Sequence, residues 1–368
     1  MKLLILVDNL NIGGIQRLAL DQAYELSDQG HPCEIWIFHD NSGQLDLFHA
    51  KESELIKFKN LKIRYIPGSK FNQLKSVKKQ ILGLLPDLII SHSLRGGILV
   101  FILRPFLRVN FKIVTVIHQL PSLSRFVQRA KRMLYSQFTD SLYIYSLNAL
   151  LDWNYHRRKN IVLKLISYRR VPSLCRNGVY LPRLRLKPTQ NNVSVKIQRL
   201  IFIGRITEWK GLSKFLEISQ LETYKNLNVM IISPEIPSYY FEFYNSQGDN
   251  RFEFIVGESV SNIQFKKGDI HLFPVVANQN YFESISINVL EMAALGIRSL
   301  VTKGGTQTWP ELIEIGVVKE VDWNNLHSLN NEINTFDLNL TEISTARIFE
   351  LVDIKSNVKN LIGTSQDV

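Results

Sequence analysis

The stretch "RLIFIGRITEWKGLSKFLEI" (Arg199–Ile218) sets an apolar run, a charged turn and an amphipathic segment side by side. The run "RLIFIG" reads as a strand ending at Gly204, and "KGLSKFLEISQLE" reads as a helix opened by Lys210 and Gly211. A continuous rather than alternating apolar strand, fed straight into a helix, is the unit of a parallel sheet covered on both faces. The turn carries Arg205 and Lys210 at the mouth of the strand, close to a helix start. Arginine supplies forked donors and lysine a mobile point charge, so the pair suits a diphosphate, although either cation alone also fits a surface salt bridge.

Working outward, the same rhythm fills both halves of the chain. "KLLILVDN", "PCEIWIFH", "PDLIISHS" and "FKIVTVIH" read as strands, and "GGIQRLALDQAYELSDQG" as a loop and helix stopped by Gly30. The rhythm pauses between Cys175 and Gln198, where Pro, Asn and charge replace apolar periodicity. It restarts with "RLIFIG", "LNVMIIS", "FEFIVG", "IHLFPV" and "RSLVT" as strands and "SINVLEMAALG" as a helix. The reading is α/β, with two Rossmann-like parallel-sheet domains. The first spans 1–180, a linker 181–198, and the second 199–368, with the last helix crossing back to the N-terminal domain. Ligands of open parallel sheets bind beyond the carboxyl ends of the strands, so two such domains are expected to face an interdomain cleft.

The apolar fraction of 45% is ordinary for a globular chain. The run Leu3–Val7 is too short for a signal-peptide core, and "GGILVFIL" (96–103), stopped by Arg104, is far too short for a bilayer span. Cys33 and Cys175 show no metal-type spacing, which fits a reducing cytoplasm. The net charge of +11 is unevenly spread: residues 51–200 hold 29 Lys and Arg against 5 Asp and Glu, the remainder 15 against 28. One region is therefore expected to face a polyanion, with nucleic acid and anionic membrane as candidates, or to be a solvated basic surface.

"VDNLNIGGIQRLAL" follows the first strand directly, and Gly13 and Gly14 let a ligand approach the backbone at a helix start. The dinucleotide-binding glycine spacing is absent, and a plain tight turn fits as well. "YFESISINVLEMAALG" (Tyr281–Gly296) places Glu283 in a loop and Glu291 inside a helix capped by Ser286 and stopped by Gly296. Paired hydrolase carboxylates usually come from separate elements, and no Asp-x-Asp or His partner lies nearby for a metal. Two acceptors for hydroxyl groups fit better, with an ordinary exposed helix glutamate as the alternative for Glu291.

In this order the motifs resemble those of the family-4 retaining glycosyltransferases of the GT-B fold, over almost the full chain. The glycine loop with Arg17 is similar to their Gly-Gly-x-x-Arg start, and "VTVIHQLP" to the strand ending in a histidine, here His118. "RNGV" (176–179) resembles their interdomain junction, and "GRITEWKG" their diphosphate site. Glu283 and Glu291 match their two glutamates separated by seven residues, and "TKGGTQTWPELIEIG" resembles the segment that follows. The chain departs from the pattern in "LNVMIISPEIP", which lacks the usual Gly-x-Gly ending, and in "VVANQNYFE", which lacks the common Pro-Ser opening.

The resemblance implies a retaining, metal-independent glycosyltransferase with a UDP- or GDP-linked sugar as donor and no cofactor. Arg205 and Lys210 would hold the diphosphate in place of a cation. Glu291 would accept the ribose hydroxyls. Glu283, with the amides of Ser284, Ile285 and Ser286, would hold the transferred sugar. His118 would contact that sugar near the reacting centre, and Gly14 would lie against the phosphates or the acceptor. The implied acceptor is a glycan or lipid-linked glycan, in bacterial surface polysaccharide assembly. "ILRPFLRVNFK", "SRFVQRAKRMLYSQF" and "NYHRRKNIVLKLISYRR" mix cations with large apolar residues. That pattern suits an anionic leaflet and points to a peripheral enzyme on the cytoplasmic face of the membrane. Two rival readings are a nucleotide-sugar epimerase on the same fold and a basic nucleic-acid-binding protein, the latter without any recognised module.

Overall fold

The structure is a computed structural model that describes residues 1–10, 13–38, 58–66, 70–118, 139–145, 173–184, 196–240, 242, 249–266, 268–275, 285–303, 309–334 and 342–363. It divides into two units. The first is built from the described residues of Met1–Tyr180 and Ile354–Val368, the second from those of Leu181–Asn278 and Ile285–Asp353.

In the first unit the run Leu3–Val7 becomes β1, buried along its whole length, and Gly14–Asp28 becomes α1. Gly30 ends that segment in the left-handed conformation (φ 81°), which glycine adopts without a Cβ clash. There follow β2 (Cys33–Ile37), β3 (Leu61–Tyr65), α2 (Lys70–Leu84), β4 (Leu88–Ser91), α3 (Leu94–Leu107), β5 (Lys112–Ile117), β6 (Ser141–Ile144) and β7 (Ser173–Leu174). The sheet order is β3-β2-β1-β4-β5-β6-β7, with every pair parallel. Leu3 lies opposite Cys33 on one side and Leu88 on the other. The order of strands reverses between β1 and β4, which opens a crevice at their carboxyl ends.

The second unit runs β8 (Arg199–Ile203), α4 (Leu212–Ser219), β9 (Asn228–Ser233), β10 (Phe252–Val256), β11 (Asp269–Phe273), α5 (Ile287–Ala294), β12 (Arg298–Thr302), α6 (Pro310–Glu314), β13 (Val318–Val321), α7 (Leu326–Asn334) and α8 (Glu342–Val352). Its sheet order, β10-β9-β8-β11-β12-β13, repeats the reversal, now between β8 and β11. The two switch strands are tied at their starts by Arg199, whose Nε and Nη2 meet Asp269 at 2.8 and 2.5 Å. One face of the sheet buries Phe202, Phe215, Ile231 and Leu300 in a common core. Each such side chain contributes about 1.5–3 kcal/mol on leaving water.

The last described helix, α9 (Ile354–Gly363), belongs to the first unit and packs on α1. Ile354 N donates to Val179 O at 3.0 Å, and Gly178 lies so close that a Cβ there would meet Ile354 Cα at 2.6 Å. Glycine at 178 is therefore what lets the helix dock. Among the described residues no helix is long and apolar enough to cross a membrane.

Candidate functional site

In the second unit the switch-point strand β8 ends at Gly204, and Arg205 follows it on the surface. Glu208–Lys210 then form one turn of 3-10 helix, ended by Gly211 at φ 76°. A Cβ on Gly211 would lie 1.9 Å from Pro274 O, so this backbone passes directly against the end of β11. Only glycine satisfies both the positive φ and that contact. Lys210 is thereby turned inward: it is buried, with Nζ 4.1 Å from the centroid of the Trp209 ring and 5.0 Å from that of Phe273. Aromatic faces attract a cation electrostatically and hold the ammonium in place with little conformational freedom.

The start of α5 reaches the same strand end, because Asn288 Nδ2 donates to Ile203 O at 3.0 Å. Ser286 is the N-cap residue, half-buried, with extended backbone and no side-chain capping bond, and Ile285 before it is buried. The first amides of α5 have no intrahelical acceptor, as at any helix start, and a negative group placed there is stabilised. Glu291 sits one turn further in and is buried. Its Oε1 accepts from Nη2 of Arg183, whose side chain is as buried as its own, and among the described residues Oε2 has no hydrogen-bond partner. The expected residues Glu283 and Ser284 lie outside the described residues.

In the first unit the carboxyl ends of β4 and β5 carry His92 and His118. Nε2 of His118 lies 2.7 Å from Nδ1 of His92, and Nε2 of His92 lies 2.7 Å from Oε1 of Gln22 on α1. The two imidazoles meet edge to edge, their planes 28° apart and their centroids 5.0 Å apart, and His118 also rests against the Tyr145 ring. Burial lowers the pKa of both, His92 to about 3 and His118 well below the usual value with a further push from His92, so both are neutral at physiological pH. Gly14 opens α1 and is exposed, while Arg17 turns inward to pair with Asp21 at 3.2 Å. In the same unit Ser93, just after β4, donates to Asp8 at 2.5 Å and caps α3 through the amide of Gly96.

The second unit thus brings the turn with Lys210 and Gly211 against the end of β11, and the start of α5, preceded by Ile285 and Ser286, to the end of β8, while Glu291 lies one turn further along α5 and Arg205 is exposed just past β8. His118 and Gly14 stand on the first unit. The sequence reading missed His92 and Arg183. For His92 a signal existed, since "IISHS" ends a strand with a polar residue as "VTVIH" does. Arg183 falls in the stretch expected to be a linker, where nothing in the sequence marks it as buried. Among the described residues no group of three or more His, Cys, Asp or Glu side chains is placed to hold a metal ion.

No family model matches the chain, and no curated protein matches it in sequence. Solved structures do match over its whole length. HepE of Anabaena, solved with UDP-glucose, is 14% identical with a TM-score of 0.69, covering 100% of both chains. A glycosyltransferase from Rickettsia africae is 17% identical with a TM-score of 0.70, covering 100% of this chain and 98% of its own. The lipopolysaccharide outer core galactosyltransferase WaaB is 12% identical with a TM-score of 0.63, covering 99% of each. Identities this low speak for architecture alone, and on that level the answer is plain: the chain has the GT-B glycosyltransferase fold.

Proposed function

We propose that the protein transfers a sugar from a nucleoside diphosphate sugar to a glycan or lipid-linked glycan, with retention of configuration and without a metal ion. The observation that carries this reading is the cationic turn Arg205–Gly211 at the end of the switch-point strand of a GT-B second unit. Arg205 and the ring-held Lys210 supply the positive charge that a departing diphosphate needs. Such preorganised charge is usually a large catalytic term. The amides of Ile285 and Ser286 donate to the sugar nucleotide and the carboxylates of Glu283 and Glu291 accept from its hydroxyl groups, which together orient it. With Arg183 on Oε1, Glu291 keeps Oε2 for a ribose hydroxyl.

In the transfer itself the bond from the anomeric carbon to the diphosphate oxygen breaks, and its electron pair leaves on that oxygen. The acceptor hydroxyl forms the new bond from the same face and passes its proton to the departing diphosphate. His118 and Gly14 are the residues of the first unit assigned to the sugar and the phosphates or acceptor.

For the acceptor, the membrane reading gains support from α2 and α3. Leu82 on α2, Leu85 just past its end, and Ile102 and Phe106 on α3 are exposed, Phe106 at 68%, and Lys75, Lys78 and Lys79 lie exposed on α2. Large apolar side chains among cations suit an anionic leaflet on the cytoplasmic face. The other two basic stretches, at 124–138 and 154–170, lie outside the described residues.

A panel of UDP-, GDP- and ADP-sugars screened by thermal shift tests the donor, since a ligand of the folded state raises its melting temperature. Product analysis with and without acceptor then separates transfer from epimerisation. Absence of any shift across the panel would overturn the reading.

A further inference from the structure

Asn357, on α9, is buried, and its side chain lies 2.6 Å from Arg176 O through Nδ2. A backbone carbonyl only accepts, so the Asn357 amide nitrogen must face it, and Oδ1 must face the other way. That oxygen lies 2.8 Å from Nε2 of Gln22, which therefore donates. The same Gln22 nitrogen has Tyr145 Oη at 3.2 Å for its second proton, while Asn357 Nδ2 has Tyr145 Oη at 2.9 Å and Cys175 Sγ at 3.3 Å. Gln22 Oε1 is left as the acceptor, so Nε2 of His92 carries a proton and donates to it. Nδ1 of His92 is then a bare lone pair. The only polarity that makes a hydrogen bond of its 2.7 Å approach to His118 is donation from Nε2–H of His118.

We propose that Asn357, Gln22 and His92 form a one-way hydrogen-bond relay, anchored on the Arg176 carbonyl, that holds His118 as the Nε2–H tautomer. Nδ1 of His118, which has no partner among the described residues, then presents a lone pair. His118 accepts a hydrogen bond from a hydroxyl group and does not donate one from that nitrogen. The three other residues are positioning residues, which accounts for a glutamine on α1 and an asparagine on α9 being fully buried far from the β5 end in sequence. What the lone pair meets, a sugar hydroxyl, rests on the proposed function; the tautomer does not.

The test is a long-range proton–nitrogen spectrum of protein labelled with 15N-histidine, without substrate and at neutral pH. His118 is assigned by the resonances that His118→Gln removes from the set of eight histidines. The expected result is one tautomer, protonated on Nε2 and bare on Nδ1, for both His118 and His92. Gln22→Leu removes the acceptor and should shift His92 and His118 toward a tautomer mixture. Gln22→Glu keeps an acceptor for His92 and, protonated as burial favours, also a donor for Asn357 Oδ1, so it should preserve the wild-type pattern. A His118 proton on Nδ1 in the wild type overturns the proposal, as does a pattern that Gln22→Leu leaves unchanged. If Gln22→Leu does not fold, the wild-type and Gln22→Glu spectra decide alone. A chain with this tautomer that binds no sugar nucleotide would sink the proposed function and leave the relay standing. One that binds donor with the opposite tautomer would do the reverse.

Discussion

Arg183 closes its guanidinium onto Glu291, and each side chain is only 5% exposed. Breaking a buried pair by removing one partner leaves an uncompensated charge, which costs about 3–5 kcal/mol. Arg183→Ala should therefore lower the unfolding free energy by that amount in urea titration, while Arg183→Ala with Glu291→Ala recovers part of the loss. Glu291→Ala alone should weaken donor binding, measured by calorimetry. A destabilisation below about 1 kcal/mol for Arg183→Ala would mark the pair as solvated and energetically minor.

Arg205→Ala and Lys210→Ala should each slow sugar transfer by about 10²–10³, the usual cost of removing one preorganised donor to a developing negative charge. The two differ in stability. Arg205 is exposed and its loss should leave the unfolding curve unchanged, whereas Lys210 is packed between rings and its loss should destabilise measurably. Wild-type turnover in both variants would remove the site assignment.

Gly211→Ala adds a methyl group where the backbone is left-handed and the nearest atom is a carbonyl oxygen at 1.9 Å. The conformational cost alone is about 1–2 kcal/mol, and the clash adds to it by forcing the turn away from β11. Thermal unfolding should report the loss. Transfer should fall more than stability accounts for, because the turn also aims Lys210. Near-normal turnover in a destabilised Gly211→Ala protein would show that the aim of Lys210 does not matter.

Most strands that were legible in the sequence are buried on both faces, such as β1, β2, β8 and β11, since a continuous apolar run has few other readings, and the edge strand β10 was legible from its apolar run as well. The strands that were not are edges or short pieces. β3 alternates buried and open positions because only one face is covered, β6 has four residues and β7 two. Around the proposed site, the positions of Arg205 and Lys210 after a strand, of Ser286 at a helix start and of Glu291 inside that helix were legible, because the local pattern marks strand ends and helix starts. Arg183 was not, because its burial depends on a residue 108 positions away. The partnership of His92 with His118 was equally hidden, since two adjacent strands bring them together across 26 positions.

His271, inside β11, is fully buried, with Nδ1 3.0 Å from Ser299 Oγ, and burial lowers its pKa to about 3. Unfolded, the imidazole takes up a proton near pH 6.5 that the folded protein refuses. Its contribution to stability is thus complete above about pH 6.5 and falls by about 1.4 kcal/mol per pH unit as the pH drops toward 3. Urea titrations across that range should show the slope, and His271→Leu should lower it by about 1.4 kcal/mol per pH unit, leaving the share that His92 and His118 contribute over the same range. An identical slope in the variant would assign the acid sensitivity to other groups.

The docking of Ile354 against Gly178 has a consequence for synthesis. Among the described residues the polypeptide leaves its first unit at Tyr180 and returns to it at Ile354, so on the ribosome the half translated first is the half completed last. Nascent chains stalled at Asp353 should already hold a protease-resistant second half while the first is still open to cleavage along α1, waiting for its closing helix to emerge.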